Sequence, residues 1–143
     1  MKLFDLISYC LCALILLICI NDSEAWDQCE VARQLSSHGF GRDELADWTC
    51  LVMSESSGDF SVIGGPNTDG SRDWGLFQIN DRYWCGVGWA GKECNADCYA
   101  FLNDDISDDV QCARKIQGIH GLDAWYGWQA KCKGGPPSVD HCF

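Results

Sequence analysis

The feature that most restricts what this chain can become is its cysteine pattern. Eight cysteines, Cys29, Cys50, Cys85, Cys94, Cys98, Cys112, Cys132 and Cys142, are spread over the chain from its first third to its end. An even number in so short a stretch predicts four disulfides, an oxidising compartment and a scaffold stapled throughout. Metal ligation by Cys94 and Cys98 with a histidine is the alternative; an oxidising compartment and only three histidines argue against it. Spacing alone leaves the pairing open. Three further cysteines, Cys10, Cys12 and Cys19, sit near or within an apolar run from Leu6 to Ile20. That run follows Lys2 and leads to Ser23-Glu24-Ala25, small residues where a signal peptidase cuts. Residues 1–25 therefore read as a secretory signal and 26–143 as the mature domain. The run is short for a membrane span, although an uncleaved anchor is the competing reading. After cleavage no membrane association is expected.

At 143 residues and 47% hydrophobic content, the chain allows one domain with a modest core, expected to act as a monomer. Its formal charge is −11. The signal carries Lys2 against Asp5, Asp22 and Glu24, so the mature domain keeps −9. Such a surface repels anionic polymers, and the basic patch that phosphate binding needs is missing. Nucleic acid is excluded as a partner.

Helical patterning opens the domain. Asp27 can cap a helix to about Ser37 with Val31, Ala32 and Leu35 on one face, ended by His38-Gly39. A second helix carries Asp43 and Glu44 in its first turn and Leu45, Trp48, Leu51 and Val52 as an apolar stripe. Glu55 falls on that stripe. Desolvation and the helix C-terminus both disfavour its charge, which predicts a raised pKa. A lone Glu ending a helix more often points to water. Next, Asp69-Gly70 marks a turn between Val62-Ile63 and Trp74 to Ile79, a hairpin that carries Asp73. Asn67, Ser71, Gln78 and Asn80 surround it with groups that hydrogen-bond a carboxylate and keep it ionised. Tyr83 and Trp84 follow, flat faces suited to a sugar ring. Later segments are a loop into a short helix over 95–103, a helix over Asp109–Gln117 broken by Gly118 and Gly121, and an aromatic helix over Asp123–Trp128. Lys131 to Pro137 is an exposed turn. Two carboxyls with pKa values pushed apart are what an acid and a nucleophile require in glycoside hydrolysis.

Four motifs carry a resemblance: Cys50-x4-Glu55-Ser56, Asn67-Thr-Asp-Gly-Ser-x-Asp73-x-Gly75, Phe77-Gln78-Ile79-Asn80 and the eight-cysteine frame. Over essentially the whole mature length the chain resembles a C-type lysozyme of the insect kind. That family is itself the type case of two carboxyls whose surroundings push their pKa values apart. The resemblance implies an α+β fold, a mainly helical lobe facing a small antiparallel hairpin lobe across a cleft. It implies the pairings Cys29–Cys142, Cys50–Cys132, Cys85–Cys98 and Cys94–Cys112.

It also implies retaining hydrolysis of β-1,4 links between N-acetylmuramic acid and N-acetylglucosamine in peptidoglycan, without a required cofactor. Glu55 would be the acid and Asp73 the nucleophile or stabiliser. Asn80 and Trp84 match positions that bind the N-acetyl group, Asn67 a position near the aspartate, and Trp125 the tryptophan that keeps the glutamic acid dry. Trp128 matches a core position, and Tyr83 replaces a tryptophan common in vertebrate members. The segment 103–109 resembles a calcium loop, with side-chain oxygens from Asn103, Asp108 and Asp109 and carbonyls from Ala100 and Asp105. Asn103 departs from the usual aspartate, and acids that cap the following helix are the competing reading. The rival functions are a non-catalytic sugar-binding relative and an α-lactalbumin-type modifier, both of which usually lack a carboxylate retained here. The acidic charge favours an acidic, digestive setting. The histidines, His38, His120 and His141, suggest only surface or turn positions.

Overall fold

The computed structural model describes residues 25–143, so the proposed signal, apart from Ala25, lies outside the described residues together with Cys10, Cys12 and Cys19. Helix α1 spans Gln28–Ser37. Asp27 begins it through a reciprocal cap: its carboxylate accepts the Glu30 N–H at 2.8 Å and the Glu30 carboxylate accepts the Asp27 N–H at 2.9 Å. Such a cap contributes about 1 kcal/mol. Val31, Ala32 and Leu35 are buried on the face that meets α2.

Helix α2, Leu45–Glu55, starts later than its acids suggest. Asp43 and Glu44 precede it because the Glu44 carboxylate is turned back to the Gly41 N–H and across to the Arg114 guanidinium. Arg114 also lies 3.8 Å from the Phe40 ring centroid, so one cation joins the α1–α2 connection to the helix that follows the sheet. The stripe Leu45, Trp48, Leu51 and Val52 is fully buried. Trp48 is the hub of the core, edge-on to Phe40, Phe77 and Trp125 from three different segments.

The sheet lobe has three short antiparallel strands in the order β1 (Ile63–Gly64), β2 (Asp73–Trp74) and β3 (Ile79–Asn80). Gly64 pairs with Asp73, and Asp73 with Asn80. Trp74 to Ile79 is thus two strands and a turn, not one strand. Gly75, at φ +67, lets the chain reverse where a Cβ would lie 2.0 Å from the Phe101 carbonyl oxygen.

Helix α3, Ser107–His120, runs through Gly118 and stops at Gly121, φ +69. A glycine inside a helix costs about 1 kcal/mol against alanine, too little to break one whose Ala113 and Ile116 are buried. The aromatic segment divides into a 3-10 turn, Leu122–Ala124, and helix α4, Tyr126–Lys131, with Trp125 extended between them. A 3-10 helix at Cys98–Leu102 leads into α3. Eight described cysteines form the pairs Cys29–Cys142, Cys50–Cys132, Cys85–Cys98 and Cys94–Cys112, as the family resemblance implies. No described helix is long and apolar enough to cross a membrane.

Candidate active site

A cleft of about 590 Å³ separates the two lobes, and Glu55, Asn67, Asp73, Asn80, Tyr83, Trp84 and Trp125 all line it. Its helical wall is dry. Glu55 is the last residue of α2, and burial pushes its pKa up, with a smaller push from the Asp73 charge across the cleft. The Gly127 N–H donates to Glu55 Oε1 at 2.8 Å and, with Lys131, pulls the other way without winning. Gly127 permits that approach, because a Cβ there would lie 2.6 Å from the same oxygen. Trp125, 5% exposed, is locked by its Nε1–H donating to the Phe77 carbonyl at 2.8 Å. The neighbouring Trp128 is half-buried against the core, its Nε1–H donating to Asp47.

The sheet wall is wet. Asp73 Oδ2 accepts from Asn67 Nδ2 at 2.9 Å and Oδ1 from Asn80 Nδ2 at 2.8 Å. Both amides also donate to Ser71 Oγ, which in turn donates to Asp69 Oδ1 at 2.6 Å. Arg82 closes the chain on Asp69 Oδ2, and Ser71 and Arg82 together hold the Asp69 carboxyl well below the usual range. Asn80 Oδ1 accepts the Arg82 N–H, so every polar atom of that side chain is committed within the protein. Gln78 lines the cleft but spends its amide on the carbonyls of Val62 and Gly75 rather than on Asp73.

Tyr83 stands 58% exposed at the rim, 5.3 Å below the Arg82 guanidinium. Trp84 is half-buried, with the His120 ring edge-on at 5.7 Å. Sequence reasoning missed Asp69, Gly127, His120 and the exposed Tyr126. For Asp69 the turn motif was a signal; for His120 there was none, because its contact joins α3 to a distant loop.

The 103–109 loop has one feature that fits a cation. Asp109 is fully buried and neither carboxylate oxygen has a hydrogen-bond partner. Burial, then Asp108, pushes its pKa up to about 9. Asp105 instead accepts from Ser107 N and Oγ at the start of α3, whose N-cap position is Ile106. The Asn103 amide donates to the Ala100 carbonyl at 2.9 Å. Among the described residues, Cys29, His141 and Cys142 are the group of three acid, His or Cys side chains whose ligand atoms converge, and a disulfide occupies two of them.

A desolvated carboxyl facing a hydrogen-bonded one across a polar cleft is the arrangement that glycoside hydrolysis by an acid and a nucleophile requires. A family model described as the C-type lysozyme/alpha-lactalbumin family matches residues 24–142. Lysozyme P of Drosophila melanogaster is 43% identical over 93% of this chain and 96% of its own. Lysozyme c-1 of Anopheles gambiae is 40% identical over the full length of both. Among solved structures, apo-type canine milk lysozyme superposes with a TM-score of 0.69 at 37% identity, covering 77% of this chain and 90% of its own. The chain belongs to the C-type lysozyme/alpha-lactalbumin family. Within it, the lysozyme relatives mark the protein as a glycoside hydrolase.

Proposed function

We propose that the protein is a secreted muramidase that hydrolyses the β-1,4 link between N-acetylmuramic acid and N-acetylglucosamine in bacterial peptidoglycan, with retention of configuration. The observation that carries this reading is the pair of walls: Glu55 desolvated at a helix end, Asp73 held by two asparagine amides. Glu55, protonated, gives its proton to the leaving glycosidic oxygen. Asp73 bonds to or stabilises the anomeric carbon, and the Glu55 carboxylate then takes a proton from the attacking water. Asn67 and Asn80 aim Asp73, Tyr83 and Trp84 offer stacking faces to the sugars, and Trp125 keeps water from Glu55. Residues 1–25 are the signal that exports the domain 26–143. The mature domain's charge of −9 opposes approach to anionic walls until carboxylates protonate, which suits digestion at acidic pH. Release of reducing ends from purified peptidoglycan tests the reading. Turnover lost in Glu55→Gln supports it; turnover that survives this substitution overturns it.

A structural calcium fits the same chain. Asp108 and Asp109 would supply carboxylate oxygens, Asn103 a side-chain oxygen, and Ala100 and Asp105 carbonyls, giving the buried Asp109 oxygens the partner they lack. The ion would serve stability and take no part in the reaction. At free calcium about 100 times Kd, melting should rise by several degrees, equivalent to about 2.7 kcal/mol. An unchanged melt at millimolar calcium would assign the acids to α3 alone.

A further inference from the structure

The outer face of the sheet, turned away from the cleft, holds a second groove of about 410 Å³. Strand alternation creates it: Ser71 and Asp73 line the cleft, so Arg72 and Trp74 line the opposite face. Tyr99 stands over this groove 55% exposed, its ring 5.0 Å from the buried Trp74 and nearly perpendicular to it. Ile63 and Val87 complete the apolar rim. Three of the eight large hydrophobic side chains left exposed among the described residues thus collect at one place, which scattered surface residues do not do.

Charge distinguishes the groove further. The protein's five arginines are all described, and four are engaged: Arg33 with the Cys142 carbonyl, Arg42 over the Phe143 ring, Arg82 with Asp69 and Arg114 with Glu44. Arg72 is exposed, and its guanidinium has no hydrogen bond or ion pair with any described residue. The one carboxylate lining the groove, Asp81, already accepts from the Arg72 backbone N–H and from Trp74 Nε1, and Lys92 donates to its main-chain carbonyl. A free guanidinium beside an aromatic face complements a ligand with both a flat apolar face and an anionic group. A sugar ring bearing a carboxylate has both, whereas a neutral glycan leaves Arg72 unused.

We propose that this groove is a second, non-catalytic saccharide site for a carboxylate-bearing glycan, the ring stacking on Tyr99 and the carboxylate pairing with Arg72. It rests on the reading of peptidoglycan as substrate, whose N-acetylmuramic acid rings bear a free lactyl carboxylate wherever no stem peptide is amide-linked to it. A mature enzyme of net charge −9 is repelled by an anionic wall, and stacking plus one local cation gives it a hold between cuts that its overall charge denies.

Titration of the intact mature protein with a peptide-free disaccharide fragment, N-acetylglucosaminyl-N-acetylmuramic acid, whose lactyl carboxylate is free and which lacks the link to be cut, tests the site by following amide and indole N–H resonances. Two sets of shifts are expected, one at Trp125 and Asn80 in the cleft and one at Trp74 Nε1 and Tyr99 in the groove. Arg72→Gln should weaken the groove set about tenfold and leave the cleft set unchanged, since one charge-assisted contact is lost. Tyr99→Ala should abolish the groove set and Tyr99→Phe restore it, all three variants keeping activity on a short soluble chitin oligosaccharide. Shifts confined to the cleft at saturation would overturn the inference while leaving the muramidase reading intact. Shifts confined to the groove would do the reverse. A groove affinity equal for the fragment and for uncharged tri-N-acetylchitotriose would overturn the carboxylate's part. Dimerisation of the parent that Tyr99→Ala abolishes would make the face a self-contact and overturn the site.

Discussion

The two walls of the cleft carry the same functional group in opposite surroundings. On the helical wall, Glu55 ends an apolar stripe and receives one backbone N–H, too little to offset its desolvation. On the sheet wall, Asp73 receives two side-chain amides anchored through Ser71 and Asp69 to Arg82. The difference teaches how a small fold gives two carboxyls opposite surroundings: packing withholds hydrogen bonds on one side, and a polar network supplies them on the other. Helices suit the first task because a stripe can desolvate its own last residue. Short strands suit the second because each neighbour across the ladder brings one more polar side chain.

Removing the proton on the dry wall should have the largest effect. Glu55→Gln is expected to lower kcat by about 10²–10⁴-fold with little change in KM, since general acid catalysis is worth that much. Steady-state kinetics on a soluble chitin oligosaccharide would show it; a fall in affinity alone would move Glu55 out of the chemistry. Next is the staple behind that wall. Cys50–Cys132 joins α2, which ends in Glu55, to the end of α4, which carries Gly127. Replacing both cysteines by alanine should cost about 2–5 kcal/mol in denaturant unfolding and loosen the Glu55 contact.

How far the sequence revealed this contrast differs between the walls. The stripe from Leu45 to Val52 shows helical spacing, so the dry setting of Glu55 was legible from local pattern. Asn67, Ser71, Asp73 and Asn80 lie in one short stretch, so the wet setting was legible too. Gly127, 72 residues from Glu55, was not, because no local pattern encodes a long-range backbone donor. Neither was the orphaned Asp109. As an acid in a first turn it looks like a solvated helix charge, and only packing from other segments buries it. Strand ends and the division of the aromatic segment escaped for the same reason: Gly75 turns where Phe101 approaches it, and Trp125 leaves helical geometry to reach the Phe77 carbonyl.

A smaller effect should sharpen the comparison. Trp125→Phe keeps an aromatic cover but leaves the Phe77 carbonyl without its donor and admits water beside Glu55. Stability should fall by about 1 kcal/mol. The Glu55 pKa should fall toward its ordinary value. In the proposed mechanism Glu55 must hold a proton to act and activity is lost as pH rises through its pKa, so the alkaline limb of the kcat/KM profile should move to lower pH. A limb that stays in place would mean Trp125 does not control the desolvation of Glu55.

Direct titration of the two carboxyls decides the central claim. With ¹³C labels on the Glu and Asp carboxyl carbons, the Glu55 resonance should titrate above the ordinary glutamate range, and Asp73→Asn should bring it part of the way down by removing the opposing charge. A Glu55 that titrates at or below the ordinary value would contradict the division of the cleft into a dry and a wet wall.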